Sequence, residues 1–228
     1  MKKFLSLILA VMLTAGFTYS QEKENRDVAD FTGVAFGVAG KLILEQGNNF
    51  RVTLEGDKDY LDKIETIIRG DRLVIRHERW YSFGINKKVT VYVIMPEIED
   101  LTVSGSGMLI AEGAIRTDDL DINVSGSGNI ELADLNAESV DCSISGSGSI
   151  ELNGEAEEGE VSISGSGNYD GRDFKINSMD VSISGSGTCR ALVNEDLEAR
   201  ISGSGDIYYD GSPRVDARVS GSGKVRKN

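Results

Sequence analysis

From about residue 99 onward, apolar and polar residues alternate in short blocks that return at a nearly fixed interval. Each block runs into the tetrapeptide "SGSG", which begins at Ser104, Ser125, Ser145, Ser164, Ser184, Ser202 and Ser220, so the gaps are 21, 20, 19, 20, 18 and 18 residues. With the first serine as position zero, position −1 reads Val103, Val124, Ile144, Ile163, Ile183, Ile201, Val219. Position −3 is also apolar in every copy: Leu101, Ile122, Cys142, Val161, Val181, Ala199, Ala217. Between and before them lie polar columns, with position −2 mostly hydroxyl or arginine and position −4 an Asp or Glu throughout. Position +5 returns to apolar or aromatic residues, from Leu109 and Ile130 to Ile207 and Val225. Alternation with period two marks strands with one buried and one wet face.

A repeat of this length carries too little apolar surface to fold alone, and stacking neighbours closes a shared core. Chain reach then fixes what "SGSG" does. A straight run of twelve steps from position −5 to +7 would span about 40 Å. The other eight steps of a coil could bring the chain back by at most about 29 Å. The coil closes only if the chain bends, and the glycines supply the bend. The prediction is an all-β, single-stranded, right-handed parallel β-helix with SGSG corners. The serine hydroxyls are expected to form ladders there, bonding backbone or one another. Because the strand–corner–strand unit is constant, the variable segments such as "AEGAIRTDD", "ADLNAES" and "DGRDFKINS" read as surface loops along one edge.

Residues 31–98 lack the tetrapeptide but are also β-rich, with candidate strands "KLILEQ", "FRVTLEG", "RLVIRHE" and "KKVTVYVIM" and a turn or short helical piece at "DKDYLDKIE". Pro96 marks a bend before the repeats. The expected organisation is a signal peptide over 1–20, a flexible segment over 21–30, and one β-helical domain over 31–228. Within that domain, 31–98 is an irregular first part and 99–228 holds the seven coils.

The leader reading rests on Lys2 and Lys3 followed by an apolar run from Phe4 to about Phe17, too short to span a bilayer. Export to the periplasm, the cell surface or the medium follows, without stable membrane insertion once the leader is removed. Losing its two lysines leaves 22 basic and 37 acidic side chains. A surface of that sign repels nucleic acid and anionic lipid. The position −4 carboxylates repel one another unless arginines, cations or solvent intervene. The calcium repeat G-G-x-G-x-D is absent, so a charged, soluble face is favoured over a metal site. The basic last stretch, "GSGKVRKN", reads as a guard against end-to-end growth.

Catalytic motifs are missing. No copy forms G-x-S-x-G or G-x-x-x-x-G-K-[ST], and His77 is the only histidine. No enzyme activity and no cofactor are expected. Cys142 and Cys189 lie in different columns two coils apart, roughly 9–10 Å along the stack. A disulfide tolerates a Cα separation of only about 7 Å, so both are expected to be buried free thiols. Two candidate partner-binding sites remain. One is "HERWYSFGINKK", with Trp80, Tyr81 and Phe83, which reads mainly as a cap over the end of the stack. The other is Asp170, Arg172, Asp173 and Lys175, which mixes carboxylates with bases as a polysaccharide cleft would, and also fits a solvated loop.

The stretches "FTGVAF", "GDRLVIR" and "MPEIEDLTVSGSG", followed by serial "SGSG", resemble the putative auto-transporter adhesin head GIN domain family, a group of domains of unknown function. The resemblance spans about residue 30 to the end. It implies a single-stranded β-helix similar in shape to pectin-lyase folds, with Gly-Ser-Gly turns joining the sheets, and a role in adhesion. It carries no catalytic residues over. No membrane barrel, stalk or coiled coil is seen after the repeats, so autotransport itself is not expected. The expected function is non-enzymatic adhesion or ligand presentation toward a surface glycan or protein. The alternatives are a polysaccharide-binding or polysaccharide-cleaving β-helix and a structural periplasmic scaffold.

Overall fold

A computed structural model describes residues 22–78 and 88–228. The strands, in chain order, are β1 (Glu22–Arg26), β2 (Gly33–Gly37), β3 (Gly40–Gln46), β4 (Arg51–Gly56), β5 (Ile64–Arg69), β6 (Arg72–His77), β7 (Val89–Met95), β8 (Asp100–Gly105), β9 (Met108–Arg116) and β10 (Asp119–Gly126). Four long strands follow, β11 (Asn129–Gly146), β12 (Ser149–Gly165), β13 (Asn168–Gly185) and β14 (Thr188–Gly203). The last are β15 (Asp206–Gly211), β16 (Arg214–Gly221) and β17 (Lys224–Lys227). One short helix, α1 (Lys58–Leu61), buries Tyr60 and Leu61.

The repeats stack in register as parallel ladders. Ile122 lies beside Leu101 on one side and Cys142 on the other, and the ladder continues through Val161, Val181, Ala199 and Ala217. The zero-position serines form one row from Ser104 to Ser220 by the same pairings. Columns −3, −1 and +5 supply the core and are buried through repeat five, with Ile201 and Ile207 continuing it. The parallel β-solenoid expected from the periodicity is therefore present. Both cysteines are buried and free, and burial pushes each thiol well up from its ordinary range.

The corner is built from glycine for two separate reasons. The first glycine of every "SGSG" has a positive φ, from 85° at Gly105 to 131° at Gly203, which side chains with a Cβ resist. The second glycine lies against the coil beneath it. A Cβ on Gly128 would meet Val103 Cγ1 at 2.5 Å and the Gly107 carbonyl oxygen at 2.7 Å. Backbone hydrogen bonds run straight through the bend: Ser127 N–H donates to Gly105 O at 2.8 Å, and Ser166 N–H to Gly146 O at 2.8 Å. The hydroxyl ladder expected here does not form. Among the described residues the corner is held by serine N–H groups, and the serine hydroxyls of the tetrapeptides stay exposed.

The segments expected as loops are a third ladder. Leu135 pairs with Ile115 and Gly154, which continues to Phe174, and Ala137 pairs with Ala156 and on to Ile176. Their apolar members are buried. Bulges between Leu132 and Leu135, and between Gly171 and Lys175, absorb the unequal coil lengths. Core volume is balanced locally as well. Tyr169 replaces the Ile150 of the coil below, and its ring lies over Gly171, where a Cβ would come 2.7 Å from Tyr169 Cε1.

The N-terminal part winds in an order that differs from the chain. β6 and β7 form the outermost coil, β2 and β3 stack on it, and β8 and β9 stack on β2 and β3. Beyond them the direction reverses. β5 runs antiparallel to β6, β4 antiparallel to β7, and β1 antiparallel to β4. These strands and α1 cover the N-terminal end. Residues 22–26, expected to be flexible, are thus an ordered edge strand. Trp80, Tyr81 and Phe83 lie outside the described residues, on the chain between β6 and β7.

Candidate functional site

Period two turns alternate side chains outward, so the stacked strands display rows of like groups. On the sheet that leads into the corner, one row holds the carboxylates Asp100, Asp121, Asp141, Glu160, Asp180, Glu198 and Asp216. The next holds Thr102, Asn123, Ser143, Ser162, Ser182, Arg200 and Arg218. The acidic row is compensated at its two ends. Arg72 bonds Asp100 at 2.6 Å, Arg200 pairs with Glu198, and Arg218 meets Asp216 at 3.3 Å. Burial raises the Asp100 carboxyl above its usual range against the pull of Arg72. Burial, then the neighbouring Asp121 and Glu160 carboxylates, raises Asp141 in the middle of the row. Among the described residues no group of three or more His, Cys, Asp or Glu is arranged to hold a metal.

Two grooves flank the edge where the third ladder meets this sheet. The larger, about 740 Å³, is lined by Asp141, Glu158, Glu160, Asp180, Asp196, Glu198 and Asp216, with Arg214 the one basic side chain. The smaller, about 530 Å³, is lined by Arg116, Asn136, Glu138, Glu155, Glu157, Lys175 and Asn177 among others. Here amides cross-link successive coils. Asn136 Nδ2 donates to Glu155 Oε1 at 3.0 Å, Asn177 Nδ2 to Glu157 Oε2 at 2.6 Å, and Asn194 Nδ2 to Asn177 Oδ1 at 3.0 Å.

The sequence candidates around residue 170 do not converge. Arg172 clamps Asp170 with Nε on Oδ1 at 2.9 Å and Nη2 on Oδ2 at 2.6 Å. Those bonds hold the Asp170 carboxyl below the usual carboxylate range. Asp170 stands in an outward row between Glu151 and Arg190, while Asp173 pairs across to Asn153. Only Lys175 enters the smaller groove. The pair neutralises itself at the surface, with no proton poised for acid–base chemistry. The amide rungs Asn136 and Asn177 were not singled out from the sequence. They stand at different positions of the third side, Asn136 opposite Glu155 and Asn177 between the paired Ile176 and Ser178, so no single column of the sequence marks them.

The structure is thus a parallel β-solenoid with repeating polar rows on one sheet and two open grooves along an edge. The chain belongs to the family described as "putative auto-transporter adhesin, head GIN domain", which matches residues 30–213. The solved structure of a putative adhesin from Bacteroides fragilis is similar over 92% of this chain and 97% of its own, with 22% identity and a TM-score of 0.87. A putative lipid binding protein from Parabacteroides distasonis covers 92% of this chain and 98% of its own at 23% identity and a TM-score of 0.76. A putative adhesin from Parabacteroides merdae covers 92% and 97% at 22% identity and a TM-score of 0.73. At such identities the likeness is one of fold. No curated protein matches the chain.

Proposed function

We propose that this is an exported, non-enzymatic adhesion or ligand-presenting protein whose solenoid faces bind a repetitive partner such as a surface glycan or a protein. The observation that carries the reading is the unbroken register of the outward rows, which repeats one arrangement of hydroxyls and carboxylates over successive coils. Parallel neighbours stand about 4.8 Å apart, so a partner with its own repeat engages many weak contacts at once, and linked contacts multiply. The family description and the naming of the similar structures as putative adhesins support this reading. The closed Asp170–Arg172 pair removes the clearest acid–base candidate. The test is a glycan array with the chain lacking residues 1–20, run beside a polysaccharide digestion panel, with cell fractionation to follow export. Binding without new sugar ends supports adhesion, and release of reducing or unsaturated ends overturns it in favour of an enzyme. Neither binding nor cleavage, with the protein found in the periplasm, returns it to a scaffold.

A further inference from the structure

The corner is held by backbone N–H groups, and the N-terminal coil makes the same bend as "GVAG" without a serine. The bend therefore does not account for the serines of the tetrapeptides. Four outward positions follow one another around it: −2 and 0 on the sheet leading in, +2 at the tip, +4 on the sheet leading out. In the four coils whose tetrapeptides begin at Ser125, Ser145, Ser164 and Ser184, these sixteen positions hold twelve serines, three asparagines and one threonine, and no charge. All sixteen are exposed or half-buried. They stand in register, Ser143 between Asn123 and Ser162, and Ser149 between Asn129 and Asn168. Their side chains make only two hydrogen bonds to protein among the described residues, Ser149 Oγ to Asn129 Oδ1 at 2.8 Å and Ser162 Oγ to Glu160 Oε1 at 3.5 Å.

Charge borders this belt on three sides. The position −4 carboxylates run along one flank, and Glu131, Glu151 and Asp170 run along the other at position +6. In the next coil positions −2 and +4 become Arg200 and Asp206, and in the last coil Arg218 and Lys224. The fold thus accepts charged side chains at these places. Four coils in succession nevertheless carry none, in a chain of net charge −13.

Hydroxyls and amides donate and accept at once, and they need no counter-charge. The belt runs over a bend and is convex, so it encloses no small molecule; a partner must be long enough to lie against it. A protein partner is anchored by buried aromatic, aliphatic or arginine side chains, and the belt offers none. Nucleic acid needs cations on the surface that meets it. A long, uncharged polymer of hydroxyl groups meets every condition.

We propose that this belt is the binding face of the protein, and that its partner is a neutral polysaccharide lying along the stack axis across successive coils. The assignment rests on the adhesion reading above and narrows it to one face and one chemistry. Each coil presents the same groups about 4.8 Å further on, so contacts that are weak singly add along the polymer. None of them is ionic, and binding does not fade with salt.

The test passes the chain lacking residues 1–20 over immobilised cellulose, chitin, mannan and starch, beside immobilised polygalacturonate, at low and high salt. The expected result is retention on at least one neutral polymer, unchanged by salt, and none on polygalacturonate. Ser143→Arg with Ser182→Arg installs at position −2 the side chain that Arg200 and Arg218 already carry there, and it weakens binding by about tenfold or more. Ser145→Ala, Ser164→Ala and Ser184→Ala together remove hydroxyls without adding bulk or charge, and they weaken it several-fold. Glu157→Gln with Glu158→Gln, in the two grooves, leaves it unchanged. Wild-type binding that either belt variant fully retains overturns the assignment and leaves adhesion standing, as does binding confined to polygalacturonate. A wild type held by no polysaccharide overturns the assignment and the glycan form of that reading together.

Discussion

The repeat stack and the N-terminal part solve the same geometric problem with different residues. Between the paired positions Phe36/Val103 and Lys41/Met108, each coil has four residues to turn its corner. The regular coil spends them as "SGSG" and the N-terminal coil as "GVAG". Val38 is buried in the second, whereas Gly105 in the first has a φ of 85°. The corner therefore demands length and close backbone approach, and the serines are optional to it. The second difference is in how the sheets end. The N-terminal end reverses direction and is covered by β4, β5 and β1, while the last coil, β16 and β17, is largely exposed.

The sharpest way to break this comparison is a Cβ in a regular corner. Gly165→Val combines a φ of 118° with a Cβ 2.5 Å from the Gly146 carbonyl oxygen, and it should cost about 3 kcal/mol or more. Urea unfolding measures it, and a loss as small as that of a surface change would mean the corners relax freely. Next in size, Gly171→Leu should cost about 2 kcal/mol by driving Tyr169 from its place. Adding Tyr169→Ile copies the Ile150/Leu152 pair of the coil below and should recover much of that loss. A double variant no better than the sum of its parts would show that the coils do not share one packing rule.

Smaller effects follow from charge. The raised Asp100 and Asp141 carboxyls favour the protonated form in the folded state. Their stabilising effect is complete below the unfolded pKa and is lost as pH rises through the folded value. Asp170, held below the usual carboxylate range, works the other way as pH falls, so the measurement is a difference between two chains. Asp141→Asn should melt slightly higher than the wild type at neutral pH, and the gap should close as pH is lowered toward the carboxylate range. A gap that stays constant or widens over that window would contradict it. Smallest of all, Ser166→Ala should change stability by less than about 0.5 kcal/mol, as an exposed hydroxyl without a protein partner.

Much of this architecture was legible in the chain because one period, near 20 residues, was written in side chains that must be buried. The strict columns ending at Val103 and Ile144 fixed register, corner and the unpaired state of Cys142 and Cys189. Legibility failed where the period was not kept. The third side is read through bulges, so Leu135 and Phe174 sat in segments that looked like loops. β2 lacks the tetrapeptide, and "GVAFG" carries no turn signal that separates it from a connecting stretch. The charges of Arg172 and Asp170 were visible, but their mutual clamp depends on rotamers that spacing does not reveal. The reversal at β4 and β5 depends on which edge is free to be paired, a property of the whole stack.

The order of the first coils has a kinetic meaning. β2 and β3 are synthesised before either of their neighbours exists. Gly33 must wait for Arg72 on one side and for Asp100 on the other. For that interval a strand rich in Val and Phe is held with both edges bare, the state in which wrong partners are captured most easily. The coil that emerges first is locked only when the fourth pair of strands has arrived, so slowing the chain between residues 46 and 100 should harm its yield more than slowing it anywhere in the repeats.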